Sequence, residues 1–134
     1  MEWKMMSMGE VIDKFIILKV KCEKLTGEDY KMAKAQHDFI LKGLERYATK
    51  STHLSNIDKL TIIGLIWELH GNHRIQWEAE DEVLAATNAA DGLRAAKKSR
   101  KYNLRRAEIK KKIDIIYGEQ FLEVKDYASL EDLK

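Results

Sequence analysis

The chain contains no proline, a single cysteine and only seven glycines among its 134 residues. Because proline is the strongest helix breaker, its absence permits long, uninterrupted helices. The lone Cys22 excludes an internal disulfide and is typical of a reducing compartment. No apolar run approaches the ~20 residues that span a bilayer, and the N-terminal residues do not form a signal peptide. We therefore expect a cytoplasmic protein, in a cell or in an infected host, with no membrane partner.

Apolar residues recur at intervals of three and four in four segments, and no alternating, strand-like pattern exceeds a few residues. The predicted helices run from Met8 to about Leu25, from Thr26 to about Tyr47, from Ile57 to about Asn88, and from Leu93 to Tyr117. We expect a single all-α domain over residues 1–134, in which antiparallel helical hairpins form a four-helix bundle. After the long helices 3 and 4 comes a predicted C-terminal strap, which carries Phe121, Leu122, Val124 and Tyr127.

Short polar signals predict where the helices begin and end. Ser7 opens an S-x-x-E capping box before helix 1, and Ser55 or Asn56 can cap helix 3. Asp91 is the predicted cap of helix 4. Gly118 follows the last periodic residue of that helix and is suited to end it.

Residues 60–67, LTIIGLIW, are apolar on nearly every side of a helix. Such a segment must be buried all round, either inside the fold or at a subunit interface. Gly64 and Gly71 indicate a close helix approach or a kink, since each glycine costs ~1 kcal/mol of helix propensity. The segment therefore favours a homodimer or a higher oligomer.

Residues 93–112 hold ten basic residues and one acid, a local charge of +9 in a chain whose net charge is +2. The rest of the chain thus carries −7. Either that acidic remainder neutralises the basic helix, or the helix faces an anionic ligand. An exposed basic helix would also bind nucleic acid in a salt-sensitive way, which we expect as a secondary role. The cations are Arg94, Lys97, Lys98, Arg100, Lys101, Arg105, Arg106, Lys110, Lys111 and Lys112.

Four stretches occur in an order that resembles a known family: GEVIDKFIILKVK (9–21), WEAEDEV (77–83), YNLRRAEIKKKID (102–114) and FLEVKDY (121–127). Together they resemble an uncharacterised all-helical family found in bacteria and phages. The resemblance implies the helical fold and a phage or bacterial source, and it implies no activity. The chain departs from the family pattern at two positions, Leu104 and Asp114, where the family has Asp and Asn. The matching positions are Gly9, Glu10, Asp13, Lys14, Ile17, Leu18, Lys21, Trp77, Glu80, Asp81, Asn103, Arg106, Ala107, Lys110, Ile113, Glu123, Lys125 and Tyr127.

Asn103, Arg106 and Lys110 share one face of helix 4, since they are three and four residues apart. If helices 1 and 4 pack together, these donors meet Lys14 and Lys21. One hypothesis is a pocket in which Arg and Lys hold a phosphate or carboxylate. The alternative is a network of ion pairs that fixes helix register, in which Arg106 finds Glu10 or Asp13. Among the cations of helix 4, Tyr102 could stack on a base.

Two acid pairs of the form E-x-x-D place both carboxylates on one helix face, as in helical nucleotide pyrophosphatases that hold Mg²⁺ against phosphates. Acid pairs at this spacing are also common on solvated helices. His70 and His73 lie one turn apart and have the spacing of two zinc ligands, but no third ligand is evident. The acid pairs are Glu10 with Asp13 and Glu78 with Asp81.

These patterns predict a non-enzymatic, oligomeric binding protein that holds a small anionic, nucleotide-like ligand and needs no cofactor. Its partners would be that ligand and other copies of itself. A concrete version is a phage protein that sequesters a host nucleotide signal. One alternative is a metal-dependent nucleotide hydrolase that uses the E-x-x-D pairs and Mg²⁺. The other is a protein-interaction module whose basic helix meets an acidic partner.

Overall fold

The computed structural model describes residues 5–50, 54–118 and 121–123. Four helices pack against each other, which confirms the predicted all-α four-helix bundle. A short antiparallel strand pair accompanies them, with Met5 opposite Glu123 and Ser7 opposite Phe121. The elements in chain order are β1 (Met5–Ser7), α1 (Met8–Lys24), α2 (Gly27–Lys50), α3 (Asn56–Ala85), α4 (Ala89–Tyr117) and β2 (Phe121–Glu123).

The strand pair places residues 121–123 beside the start of α1. This is the first part of the predicted C-terminal strap. The remainder of that strap, from residue 124 to 134, lies outside the described residues. Within the described ranges, no helix has an apolar stretch long enough to cross a bilayer.

Two of the predicted helix starts are correct, and one is wrong. The Ser7 hydroxyl accepts a hydrogen bond from the Glu10 N–H at 3.2 Å, and Ser55 does the same for the N–H of Asp58 at 3.1 Å. Helix α4 begins one turn earlier than predicted, because Asn88 rather than Asp91 is its cap. The Asn88 side-chain oxygen accepts from the Asp91 N–H at 2.9 Å.

Helix α1 is the central element of the fold and is apolar on two faces. One face carries Val11 and Leu18, which pack against Ile40 of α2. The other face carries Met8, Ile12 and Ile16, and it packs against the α3–α4 hairpin. Full burial of each such side chain contributes roughly 1.5–3 kcal/mol, so these two layers hold the bundle together. The residues of the second layer on α3 and α4 are Leu65, Leu69, Ile109 and Ile113.

The closest backbone approach occurs at Gly9, where the start of α1 crosses α4. The Gly9 N–H donates to Asp114 Oδ1 at 2.7 Å. A Cβ at this position would overlap the Lys110 carbonyl oxygen and the Asp114 carboxylate. At Gly64 and Gly71, which we expected to mark a close helix approach or a kink, an added Cβ would meet no atom of another described element within 4 Å, so neither glycine marks a close approach there.

Helix α3 exposes a row of apolar residues on the side that faces away from the core. Leu60 is 68% exposed and Trp67 is 73% exposed, whereas Ile62 and Leu65 are buried. Of the two arrangements expected for residues 60–67, burial on every side inside the fold is therefore wrong, because α1 and α4 cover only one side of α3. Burial at a subunit interface stays a prediction. We call this surface the outer stripe of α3, and it consists of Ile57, Leu60, Gly64, Trp67 and Gly71.

Candidate functional site

Asp13 of α1 is a buried carboxylate that connects three helices. Its side chain is only 4% exposed. Arg106 of α4 donates from Nη2 to Asp13 Oδ2 at 2.7 Å and from Nε to Oδ1 at 2.9 Å. The Nε2 atom of His73, on α3, is at a distance of 2.7 Å from the same Oδ1. An ionised carboxylate only accepts hydrogen bonds, so Nε2 of His73 carries the hydrogen and donates.

The Asp13 carboxylate is charged at neutral pH. Burial alone would raise the pKa of Asp13, but hydrogen bonds from His73 and Arg106 and the charge of Arg106 lower it below its ordinary value. Lys110 Nζ is 3.9 Å from Oδ2 and adds a second positive charge on the same side. Arg106 therefore forms the ion pair with Asp13 that the sequence offered as one of its two alternatives.

The helix faces that form the apolar core also carry the residues of this polar cluster, further along each helix. On α3 the buried positions continue from Leu69 to His73, one turn further along. On α4, Arg106 lies one turn before the buried Ile109 and is itself partly buried. Asn72 of α3 joins the two helices here, since its Nδ2 donates to the Tyr102 carbonyl oxygen at 2.7 Å. The core is thus apolar at one end and hydrogen-bonded at the other.

A cleft of about 160 Å³ lies beside Asp13, between α1, α3 and α4. It is smaller than the ~300 Å³ of a typical small-molecule pocket. It can therefore hold a ring or an anionic group, while the rest of a larger ligand would extend outside. The cleft is lined by the apolar side chains of Ile17, Val20 and Trp77 and by the polar ones of Lys21, His73, Gln76, Glu80 and Arg106.

Gln76 carries a buried oxygen with no hydrogen-bond donor. Its Oε1 is inaccessible to solvent, and no group in the described residues donates to it. Its Nε2 donates weakly to Asn103 Oδ1 at 3.4 Å. A buried polar atom without a partner is unfavourable by roughly 1–3 kcal/mol. Gln76 also lines the cleft, so rotation of its amide would present this oxygen to a ligand N–H or O–H group there and remove the penalty.

A second carboxylate of α1, Glu23, forms a similar cluster near the surface. Arg74 donates to it from Nε at 2.9 Å and from Nη2 at 3.0 Å. His70 Nε2 lies 2.9 Å from Oε1. The hydrogen bond from Arg74 is the main reason that the pKa of Glu23 is below its ordinary value. This cluster fixes the C-terminal end of α1 against α3.

The residues predicted to hold an anion divide into three groups. Arg106 and Lys110 meet at Asp13, and Lys21 lines the cleft. Asn103 does not line the cleft, and it contacts the site through the hydrogen bond that its Oδ1 accepts from Gln76. The other two, Lys14 and Tyr102, do not line the cleft. The Tyr102 ring instead has the charged groups of Lys101 and Arg105 at 5.9 and 5.6 Å from its centre.

The predicted metal ligands do not come together in the described part of the chain. Asp13 is paired with Arg106, whereas Glu10, Glu78 and Asp81 are exposed on the surface. Among the described residues, no three His, Cys, Asp or Glu side chains form a group that could bind a metal. His70 and His73 also have different partners, Glu23 and Asp13.

Among the cleft residues that the sequence did not predict to bind the ligand are His73, which it offered as a zinc ligand, Trp77, which matches the family pattern, and Gln76. The available signal was their position, because residues 69, 73 and 76 continue the buried face of α3 at intervals of four and three. A histidine and a glutamine on such a face need hydrogen-bond partners from another helix. Periodicity identifies the face, but it cannot name those partners.

The cations of α4 form two groups, which differ in whether they pair with an acidic side chain. Arg106 and Lys110 turn inward to Asp13, Lys98 pairs with Glu82 of α3 at 3.4 Å, and Arg94 pairs with Asp91 at 3.4 Å. Within residues 5–50 and 54–118, the other group makes no ion pair and is exposed. Its members are Lys97, Arg100, Lys101, Arg105, Lys111 and Lys112. Among the described residues, acidic side chains therefore pair with only part of the basic helix.

No family model, curated protein or solved structure matches this chain. The resemblance to the bacterial and phage family therefore stays a prediction.

Proposed function

We propose that the cleft beside Asp13 binds a small anionic ligand with a planar ring, of the nucleotide type, without chemical turnover. The observation that carries this proposal is Gln76, whose Oε1 has no hydrogen-bond donor among the described residues, in the lining of a cleft that also contains Lys21, Arg106 and Trp77. These groups supply one hydrogen-bond acceptor, two cationic donors and one flat aromatic surface. A nucleotide offers the matching parts, namely ring N–H groups, an anionic phosphate and a planar base.

The role of Arg106 in this proposal follows from its geometry. Its Nε and Nη2 are held by Asp13, so the guanidinium cannot change orientation when a ligand arrives. The remaining N–H groups of Nη1 are available to an incoming oxygen. Because Asp13 offsets its charge, the attraction for an anion depends strongly on Lys21. A prearranged donor of this kind reduces the entropy lost on binding.

The size of the cleft supports binding of one part of the ligand, with the ring or one phosphate inside. Glu80 is also in the lining, and it disfavours a second negative group at the same place. We therefore propose a ligand with a low charge density. If the resemblance to a phage family is correct, the concrete role is sequestration of a host nucleotide signal.

Calorimetric titration with a nucleotide panel tests this proposal, with the matching nucleosides and inorganic phosphate included. Lys21→Gln should weaken nucleotide binding about tenfold or more, because it removes a hydrogen bond to a charged group. Lys19→Gln is the matched control, since Lys19 lies on the exposed side of the same helix. Absence of binding at millimolar nucleotide, or equal loss in both variants, would contradict the proposal.

A further variant separates ring recognition from phosphate recognition. Gln76→Leu removes the unpaired oxygen and should weaken binding of the nucleoside as well as the nucleotide. Lys21→Gln should weaken binding of the nucleotide alone. Circular dichroism confirms that each variant remains helical. The same loss in both variants for every ligand would argue against separate recognition of ring and anion.

The exposed cations of α4 support a second candidate, a module that binds an acidic protein segment. Leu104 lies exposed among Lys97, Arg100, Lys101 and Arg105, so this surface combines charge with an apolar contact. Binding of a glutamate-rich peptide should fall steeply with salt. Arg105→Glu should abolish it, whereas Lys31→Glu on α2 should not. Tighter binding of a duplex DNA than of the peptide would favour nucleic acid instead.

A further inference from the structure

The outer stripe of α3 is an apolar surface that nothing in the described part of the chain covers. Ile57, Leu60 and Trp67 are 76%, 68% and 73% exposed. The positions 57, 60, 64, 67 and 71 are separated by alternating intervals of three and four, which is the spacing of a helix-pairing seam. No residue of this seam is charged. A surface of this kind marks an interaction site.

The two glycines of the stripe are not required by close packing inside the described chain. A Cβ on Gly64 or on Gly71 would meet nothing within 4 Å. Each glycine nevertheless costs ~1 kcal/mol of helix stability relative to alanine. Small residues at a helix surface allow a neighbouring side chain or backbone to approach closely. The stripe therefore alternates large apolar residues with positions that can receive them.

We propose that the outer stripe pairs with the outer stripe of a second copy, with the two α3 helices antiparallel. A two-fold axis between residues 65 and 66 places Trp67 of each copy opposite Gly64 of the other. The same register places Leu60 opposite Gly71 with no further adjustment. Both large residues thus meet a glycine at once, which makes the surface self-complementary as a two-fold interface requires.

The parallel arrangement does not have this property. There each residue would face its own counterpart, so two Trp67 rings would collide while two Gly64 positions left a gap. The antiparallel pairing would remove on the order of 1,000 Å² of apolar surface from water, close to the lower limit of stable interfaces. The paired glycines favour a second copy over a lipid surface, which needs no such recesses, and at each end of the seam the register places Ile57 opposite Arg74.

Sedimentation velocity tests the dimer directly. The wild-type chain should sediment as a dimer at micromolar concentration. Trp67→Lys should sediment as a monomer. It should keep its helical circular dichroism, because Trp67 lies outside the core. Leu84→Lys is the matched control, since Leu84 is exposed on the same helix beyond the stripe, and it should remain a dimer. A monomeric wild type, including one that binds anionic vesicles instead, would overturn the proposal.

Disulfide trapping tests the register. In a Cys22→Ser background, Leu60→Cys combined with Gly71→Cys should form a covalent dimer on oxidation. Within one helix the two positions are about 16 Å apart, so they cannot bridge internally. Each single variant should stay unlinked, because the antiparallel register keeps identical positions equally far apart. A covalent dimer of Leu60→Cys alone would overturn the antiparallel arrangement. This proposal does not depend on the nucleotide cleft.

Discussion

Two carboxylates of α1, Asp13 and Glu23, have the same kinds of partner in different surroundings. Each is held by two N–H groups of one arginine and by one histidine nitrogen. The Asp13 side chain is 4% exposed, and that of Glu23 is 30% exposed. In both, hydrogen bonds and charges lower the pKa of the carboxyl group. Burial is the largest difference between the two clusters, and Lys110 near Asp13 is a further one, so we expect the Asp13 cluster to contribute more to stability.

The largest effect is expected from Asp13→Ala. It leaves Arg106 and His73 without their shared acceptor, and breaking a buried ion pair destabilises by about 3–5 kcal/mol. Urea denaturation followed by circular dichroism measures this loss at neutral pH. A loss below ~1 kcal/mol would show that burial does not strengthen the Asp13 cluster relative to an exposed pair.

A double-mutant cycle on Asp13 and Arg106 sharpens the comparison. Asp13→Leu alone should be strongly destabilising, and adding Arg106→Met should recover part of the loss because no buried cation is then left unpaired. We expect an interaction free energy of about 2 kcal/mol for this pair. The corresponding cycle on Glu23 and Arg74 should give less than ~1 kcal/mol. Equal values for the two cycles would contradict the argument from burial.

Acid should remove the contribution of Asp13. Its pKa is lower in the folded than in the unfolded chain, so the unfolded state binds more protons as the pH falls. The stabilisation is complete above the ordinary carboxyl pKa and is lost as the pH falls through the lower, folded value. Denaturation midpoints measured from pH 7 to pH 2 should therefore fall more steeply for the wild type than for Asp13→Asn. Parallel curves would indicate that Asp13 does not titrate differently in the two states.

The smallest effect is expected from Glu23→Gln. Partly exposed ion pairs contribute about 0–1 kcal/mol, and salt screens them. The change in unfolding free energy should be of that size in dilute buffer and smaller at high salt. A loss as large as that of Asp13→Ala would mean that the two clusters contribute equally and would contradict the argument from burial.

Local signals determined the helices of this protein. The absence of proline, the intervals of three and four between apolar residues, and the caps at Ser7 and Ser55 act within one or two turns of the chain, so they can be identified from the sequence alone. Even the error at the start of α4 is local, because Asn88 and Asp91 are both suitable capping residues three positions apart. The pairing of Arg106 with an acid of helix 1 could likewise be predicted from the sequence, which offered two acceptors, Glu10 and Asp13.

The tertiary structure decided which faces meet. His73 and Arg106 converge on Asp13 although they are 60 and 93 positions away in sequence, and no periodicity specifies such a distance. Likewise, residues 60–67 are apolar all round, yet only the arrangement of α1 and α4 determines that Ile62 is covered and Trp67 is exposed. Sequence records how apolar each side of a helix is. Which side is buried depends on the shape of the neighbouring helices, because packing acts between residues that are adjacent only in the folded chain.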